Sequence, residues 1–198
     1  MNQTSAPFLS LLRVTFGDPR AGMRGVLNMG LPLRASVELL VLTAVVSAVL
    51  SEISVYLAPM PEGAELVRSI AALPISVVLL QVAFLGIVVI GIDRIGRAMG
   101  GRGDLTGAVL VVAWVQVVMI ALQLAQMLAM VLVPPFSMLI GLASIGIFFW
   151  MITNFITELH GFAQRGRVFA VVFAGFMVLA MVLAFVLTSL GFVPPMEM

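Results

Sequence analysis

The sequence predicts an all-α integral membrane protein, a bundle of five transmembrane helices preceded by short interfacial helices. Composition is the first observation behind this. Of 198 residues 62% are hydrophobic and 10% charged, with mean hydropathy +1.22, whereas a soluble domain carries roughly 45–50% apolar residues. The second is distribution. Five apolar runs, at about 33–57, 70–92, 105–133, 136–157 and 168–193, are each long enough to cross roughly 30 Å of hydrocarbon as a helix with every backbone group satisfied internally. The chain divides accordingly into a cytosolic amphipathic arm, 1–32, and a transmembrane domain, 33–198.

The arm contains APFLSLLRVTFGDPRAGMRGVLNMGLP. Phe8, Leu9, Leu12 and Phe16 fall within about 100° on a helical wheel, and Asp18-Pro19 has the form of an N-cap followed by proline at the first position of a second helix. Two short helices lying on the inner leaflet fit this pattern. The same apolar face would also suit a partner protein, and the residues do not separate these readings. The mixed composition before Leu33 argues against a cleaved signal peptide.

Each span has a distinguishing feature. The first carries Glu38 and Glu52, both near its ends, and the second carries Gln81. Pro134-Pro135 separates the third and fourth runs, because consecutive residues without N–H groups end the incoming helix, and a tight hairpin turn is expected there. On the third helix Gln116, Gln123 and Gln126 lie within about 80° of one another, beside Ala121, Ala125 and Ala129. Small residues permit close approach and amides can bond across helices, so this face should point into the bundle, with Gln81 as a further packing amide. The fourteen methionines are read as pliable packing.

Orientation follows from arginine, the identity of all ten basic residues. Arg13, Arg20, Arg24 and Arg34 precede the first span, Arg94, Arg97 and Arg102 follow the second, and Arg165 and Arg167 follow the fourth. The opposite side receives Glu62, Glu65, Arg68, the Pro-Pro turn and the tail GFVPPMEM. The positive-inside rule then places the N-terminus in the cytosol and the C-terminus outside. The Arg- and Ala-rich usage suggests a GC-rich bacterium, hence a bacterial inner membrane.

The segment GIDRIGRAMGGRGDLTG at 91–107 invites a phosphate-loop reading, which fails because no strand precedes it and the chain has no lysine. It reads instead as a cytosolic connector in which Gly100, Gly101 and Gly103 permit a left-handed turn. Arg94, Arg97 and Arg102 would stand at headgroup level and contact anionic lipids or a membrane protein partner. Phe16, Asp18, Pro19, Arg20, His160, Arg165 and Arg167 are candidates for the same contacts.

Catalysis finds no residues to carry it. His160 is the sole histidine, and with Glu158 it makes neither a metal-ligand pair nor a triad; cysteine is absent. No H-E-x-x-H, Gly-flanked serine with histidine, or dense aspartate cluster occurs. No enzyme activity, cofactor or nucleic-acid partner is expected. A small transporter or channel-like subunit is the rival, because Glu38, Glu52, the glutamines and Asn154 enter the spans. The carboxylates are shallow, however, and no pair of interrupted helices marks a substrate site.

Phe16 and Asp18-Pro19-Arg20 in the arm, five spans, RAMGGRG after the second and ITELHGFAQRGRV after the fourth resemble the bacterial branch of the Yip family, the five-span Ypt/Rab-interacting membrane proteins. The resemblance implies a cytosolic N-terminus and a non-enzymatic role as a membrane scaffold or accessory protein. In eukaryotic relatives it implies vesicle traffic and small-GTPase contact. This sequence lacks their long acidic segment, and its single tyrosine, Tyr56, stands at the outer end of the first span, so GTPase contact is not carried over.

Overall fold

The computed structural model describes residues 5–57 and 74–189. They form seven helices: α1 (Ser5–Gly17), α2 (Pro19–Leu27), α3 (Leu33–Leu57), α4 (Pro74–Ala98), α5 (Leu105–Leu132), α6 (Pro134–His160) and α7 (Arg165–Ser189). Helices α3 to α7 are the five long and apolar enough to cross a membrane, and the chain is a multi-pass membrane protein. Glu62, Glu65, Arg68 and the tail GFVPPMEM lie outside the described residues.

Helix α5 is the axle. Over half of its apolar stretch, 56%, is buried in protein against 6% for α7, so the others pack round α5 and α7 stands at the rim. Burial is concentrated toward one end, in Ala108 to Val115 of α5 and Met151 to Ile156 of α6, which belong to one core. Past Val118 no residue of α5 is fully buried. Rings of Phe148 and Phe149 on α6 meet Phe169, Phe173 and Phe176 and hold α7 in place.

Several boundaries differ from the sequence expectation, that of α7 among them, which begins at Arg165 and not near 168. Helix α4 continues past residue 92 to Ala98, so Arg94 and Arg97 belong to its last turns and not to a loop. Helix α6 reaches His160 and stops at Gly161, whose φ of 69° is left-handed. The Pro-Pro pair is not itself the turn: Val133 alone is non-helical, and Pro134 and Pro135 open α6, where missing N–H groups leave no helical bond unmade.

The arm also differs. Asp18 caps α2 as expected, its side chain accepting from the N–H groups of Arg20 and Ala21. Yet Pro19, Gly22, Met23 and Val26 are buried, so the apolar stripe of α2 faces α5 and α6 instead of lipid. Met23 and Val26 join the same core as the spans. Helix α1 keeps an exposed apolar face, with Leu9 63% and Phe16 38% exposed.

Candidate functional site

The ends of α4, α6 and α2 and the starts of α5 and α7 meet at the arginine-rich end of the bundle. At its centre is His160, 2% exposed. A Cβ added to Gly96, Gly101 or Gly103 would stand 2.1, 2.5 or 2.7 Å from a ring atom of this histidine, so these glycines wrap the imidazole. Only Gly100 among the loop glycines takes the left-handed conformation, with φ 88°; Gly101 and Gly103 are required for close approach. The Gly103 N–H donates to Nδ1 at 3.2 Å, and Nε2 lies 3.2 Å from the Ile92 carbonyl. The ring is therefore a neutral imidazole with its proton on Nε2. Its own carbonyl accepts from Arg102 N–H at 3.2 Å, and Phe162 stacks on the ring. His160 thus clasps the 99–104 turn to the end of α6, and burial removes it from the residues that touch lipid or partner.

Two residues earlier on α6, Glu158 accepts from Arg20 Nε at 2.8 Å and Arg24 Nε at 2.7 Å. Residues four apart on α2 share a face, so both guanidiniums reach a single carboxylate that is 12% exposed. The hydrogen bond, then the opposite charge, hold the Arg24 pKa above its ordinary value. Arg20 is consequently engaged within the protein rather than offered to a ligand.

The arm has a second attachment. A Cβ at Gly22 would stand 2.2 Å from Thr15 Oγ1, so α1 crosses α2 in direct contact. That crossing buries Thr15, whose hydroxyl donates to Leu11 O at 2.8 Å and accepts from Trp114 Nε1 at 3.0 Å. Phe8 meets the edge of the same indole, centroids 5.6 Å apart.

Asp93, unremarked in the sequence reading, is 2% exposed and pairs with Arg97 one turn on. Its Oδ1 has no hydrogen-bond partner among the described residues. The i,i+4 spacing would have revealed the pair had α4 been extended past residue 92. Arg97 is thereby half committed, while Arg94, Arg102, Arg165 and Arg167 are exposed, the last two in the first turn of α7. Asp18 is spent on capping, Pro19 is buried, and Phe16 is open.

Deeper in the bundle, Gln123 Nε2 donates to Ser51 Oγ at 3.2 Å, and Ser47 Oγ lies 3.5 Å from its Oε1, linking α5 to α3. Gln126 lies 3.0 Å from where a Cβ on Gly141 would be, a close approach of α5 to α6. Gln81, Gln116, Ala121 and Ala129 are half-buried, but Ala125 is exposed, because α5 has lost neighbours at that depth. The alanine row is therefore not uniformly a packing face. Gln123→Leu is expected to lower stability in detergent by about 0.6 kcal/mol, a Tm drop of roughly 1–3 °C. An unchanged melting curve would show that the α3–α5 amide bond contributes nothing.

Among the described residues no three His, Asp or Glu side chains gather where a metal ion could be held. Neither a curated protein nor a solved structure gives a significant match to this chain. The family model of the Yip1 domain matches residues 16–187, a stretch that begins beside the α2 cap and takes in the histidine clasp and all five spans. The chain belongs to the Yip1 domain family.

Proposed function

We propose that this protein is a non-catalytic membrane scaffold or accessory protein of a bacterial inner membrane, with its N-terminus and its arginines on the cytosolic side. The observation that carries the reading is the use made of polar groups at that end. His160, Glu158 and Trp114 tie loop and arm to the bundle, and Asp93 is engaged by Arg97 on its own helix. What is left facing outward is a set of exposed arginines, Arg94, Arg102, Arg165 and Arg167, beside the exposed Phe16. A cluster of exposed guanidiniums suits anionic lipid headgroups and the carboxylates of a membrane protein partner.

The test is copurification from native membranes in mild detergent. The expected result is a stoichiometric membrane protein that Arg94→Gln/Arg102→Gln/Arg165→Gln releases at physiological salt, with Tm unchanged. Solute or ion flux from reconstituted vesicles, with no copurifying partner, would overturn the reading in favour of a small transporter.

A further inference from the structure

Helices α4 and α7 make little direct contact and stand on either side of α6, leaving a cleft of about 460 Å³. Ile152 and Phe148 of α6 form its floor, Ile87 to Met99 of α4 one wall, and Val168 to Val182 of α7 the other. Along α7 this is about 21 Å at 1.5 Å per residue, more than the roughly 15 Å depth of one leaflet's hydrocarbon. The cleft starts at the arginine-rich end, where it adjoins a second cavity of about 270 Å³ with which it shares Met99, Phe162 and Val168. Gln164 and Arg167 line that mouth beside Met99 and Phe162.

The walls contain glycine where a side chain would fit. A Cβ added to Gly91 or to Gly175 meets no atom within 4 Å, so both positions open onto unfilled space. Shape decides the occupant. A helix about 10 Å across laid along this length would need on the order of 1,600 Å³, more than the roughly 1300 Å³ of empty space in the cleft and its open face together, so a partner helix would stand proud of it. A single hydrocarbon chain can lie within it. The arginine at the mouth of an otherwise apolar slot selects a negative headgroup.

We propose that this cleft holds one acyl chain of an anionic glycerophospholipid, with the headgroup phosphate against Arg167 and Gln164. The inference rests on the proposed lipid contact of the arginine-rich end and sharpens it, from diffuse attraction to one bound molecule.

The test uses the full chain in nanodiscs of phosphatidylcholine containing a few per cent phosphatidylglycerol of the same chains, followed by native mass spectrometry. Wild type should retain one phosphatidylglycerol. Gly91→Leu/Gly175→Leu should lower that retention about tenfold, by occupying the space of a few buried methylenes, while leaving Tm unchanged or higher, since leucine is the better helix former. Arg167→Gln should instead reduce the preference for phosphatidylglycerol over phosphatidylcholine about fivefold. As a second measurement, the chain has no cysteine, so a fluorophore on Ile87→Cys at the cleft rim reports directly. Chain-brominated phosphatidylglycerol should quench it saturably at low mole fraction.

Retention unaffected by the filled cleft, or quenching that rises only in proportion to bulk lipid, would overturn the inference while leaving the diffuse contact standing. Loss of a copurifying protein or of a dimer on filling the cleft would overturn it in favour of that occupant. No preference for phosphatidylglycerol in any variant, including Arg94→Gln/Arg102→Gln/Arg165→Gln, would instead remove the lipid contact on which it rests.

Discussion

Gly96→Val is expected to lower the stability of the detergent-solubilised protein by about 3 kcal/mol, roughly 6–12 °C in Tm. Its first side-chain carbon would stand 2.1 Å from Nε2 of a histidine that is itself enclosed. Relief requires moving the ring, and the ring is held by Gly103 N–H on one side and the Ile92 carbonyl on the other. Displacing it orphans a buried N–H and a buried carbonyl as well as opening the helix ends. Because the two residues share one volume, their effects should not add. Gly96→Ala combined with His160→Ala is expected to be less destabilised than the sum of the single changes. Simple additivity would show that Gly96 and His160 are not packed together in the folded protein.

That clasp also marks where sequence reading runs out. Five spans are visible in the sequence because a bilayer demands long uninterrupted apolar helices, a one-dimensional requirement. The Asp18-Pro19 cap is equally local: its bonds reach only Arg20 and Ala21. By contrast, the ends of α4 and α6 lie beyond the apolar runs that predicted them, since a helix leaving the hydrocarbon need not be apolar if its polar groups pair. Asp93 with Arg97 and Glu158 with Arg20 do this. One of those pairs is four residues apart and was legible in principle; the other spans 138 positions and was not. Glycine shows the same division. A run such as GGRG announces a turn, but not that two of its glycines are there to admit a histidine 57 to 59 positions away.

The arginines changed meaning for a related reason. Charge counting along the chain speaks to the side of the membrane on which a segment should lie, a property of whole segments. It says nothing of which guanidiniums are already occupied. Arg20, Arg24 and Arg97 have carboxylate partners in the fold, whereas Arg102, Arg165 and Arg167 are exposed. Candidate contacts therefore narrow to the latter group and Arg94, whose Nε is 3.7 Å from Asp93 at the edge of an ion pair.

Charge reversal at Glu158 should detach the arm. In Glu158→Arg a third guanidinium would face Arg20 and Arg24, replacing two bonds of 2.8 and 2.7 Å by repulsion. With Arg20 29% and Arg24 59% exposed, solvent screening tempers that repulsion without removing it. Burial of Met23 and Val26 opposes release, at about 1.5–3 kcal/mol each, but α2 is only nine residues long, and such a helix is marginal away from its docking face. Lifting α2 would also carry off Thr15, which Gly22 holds in contact, and with it the Trp114 hydrogen bond. The measurement is a distance distribution between spin labels on Phe16→Cys and Arg165→Cys, both exposed positions. It should be narrow in the otherwise wild-type chain and broad with Glu158→Arg. Adding Arg20→Glu and Arg24→Glu restores opposite charges in reversed order and should narrow it again. If Glu158→Arg leaves the distribution narrow, the apolar stripe of α2 holds the arm unaided and the ion pairs only decorate it. If the reversed set stays broad, position and hydrogen-bond geometry matter more than charge, and the Arg20–Glu158–Arg24 arrangement cannot be treated as an exchangeable pair of opposite signs.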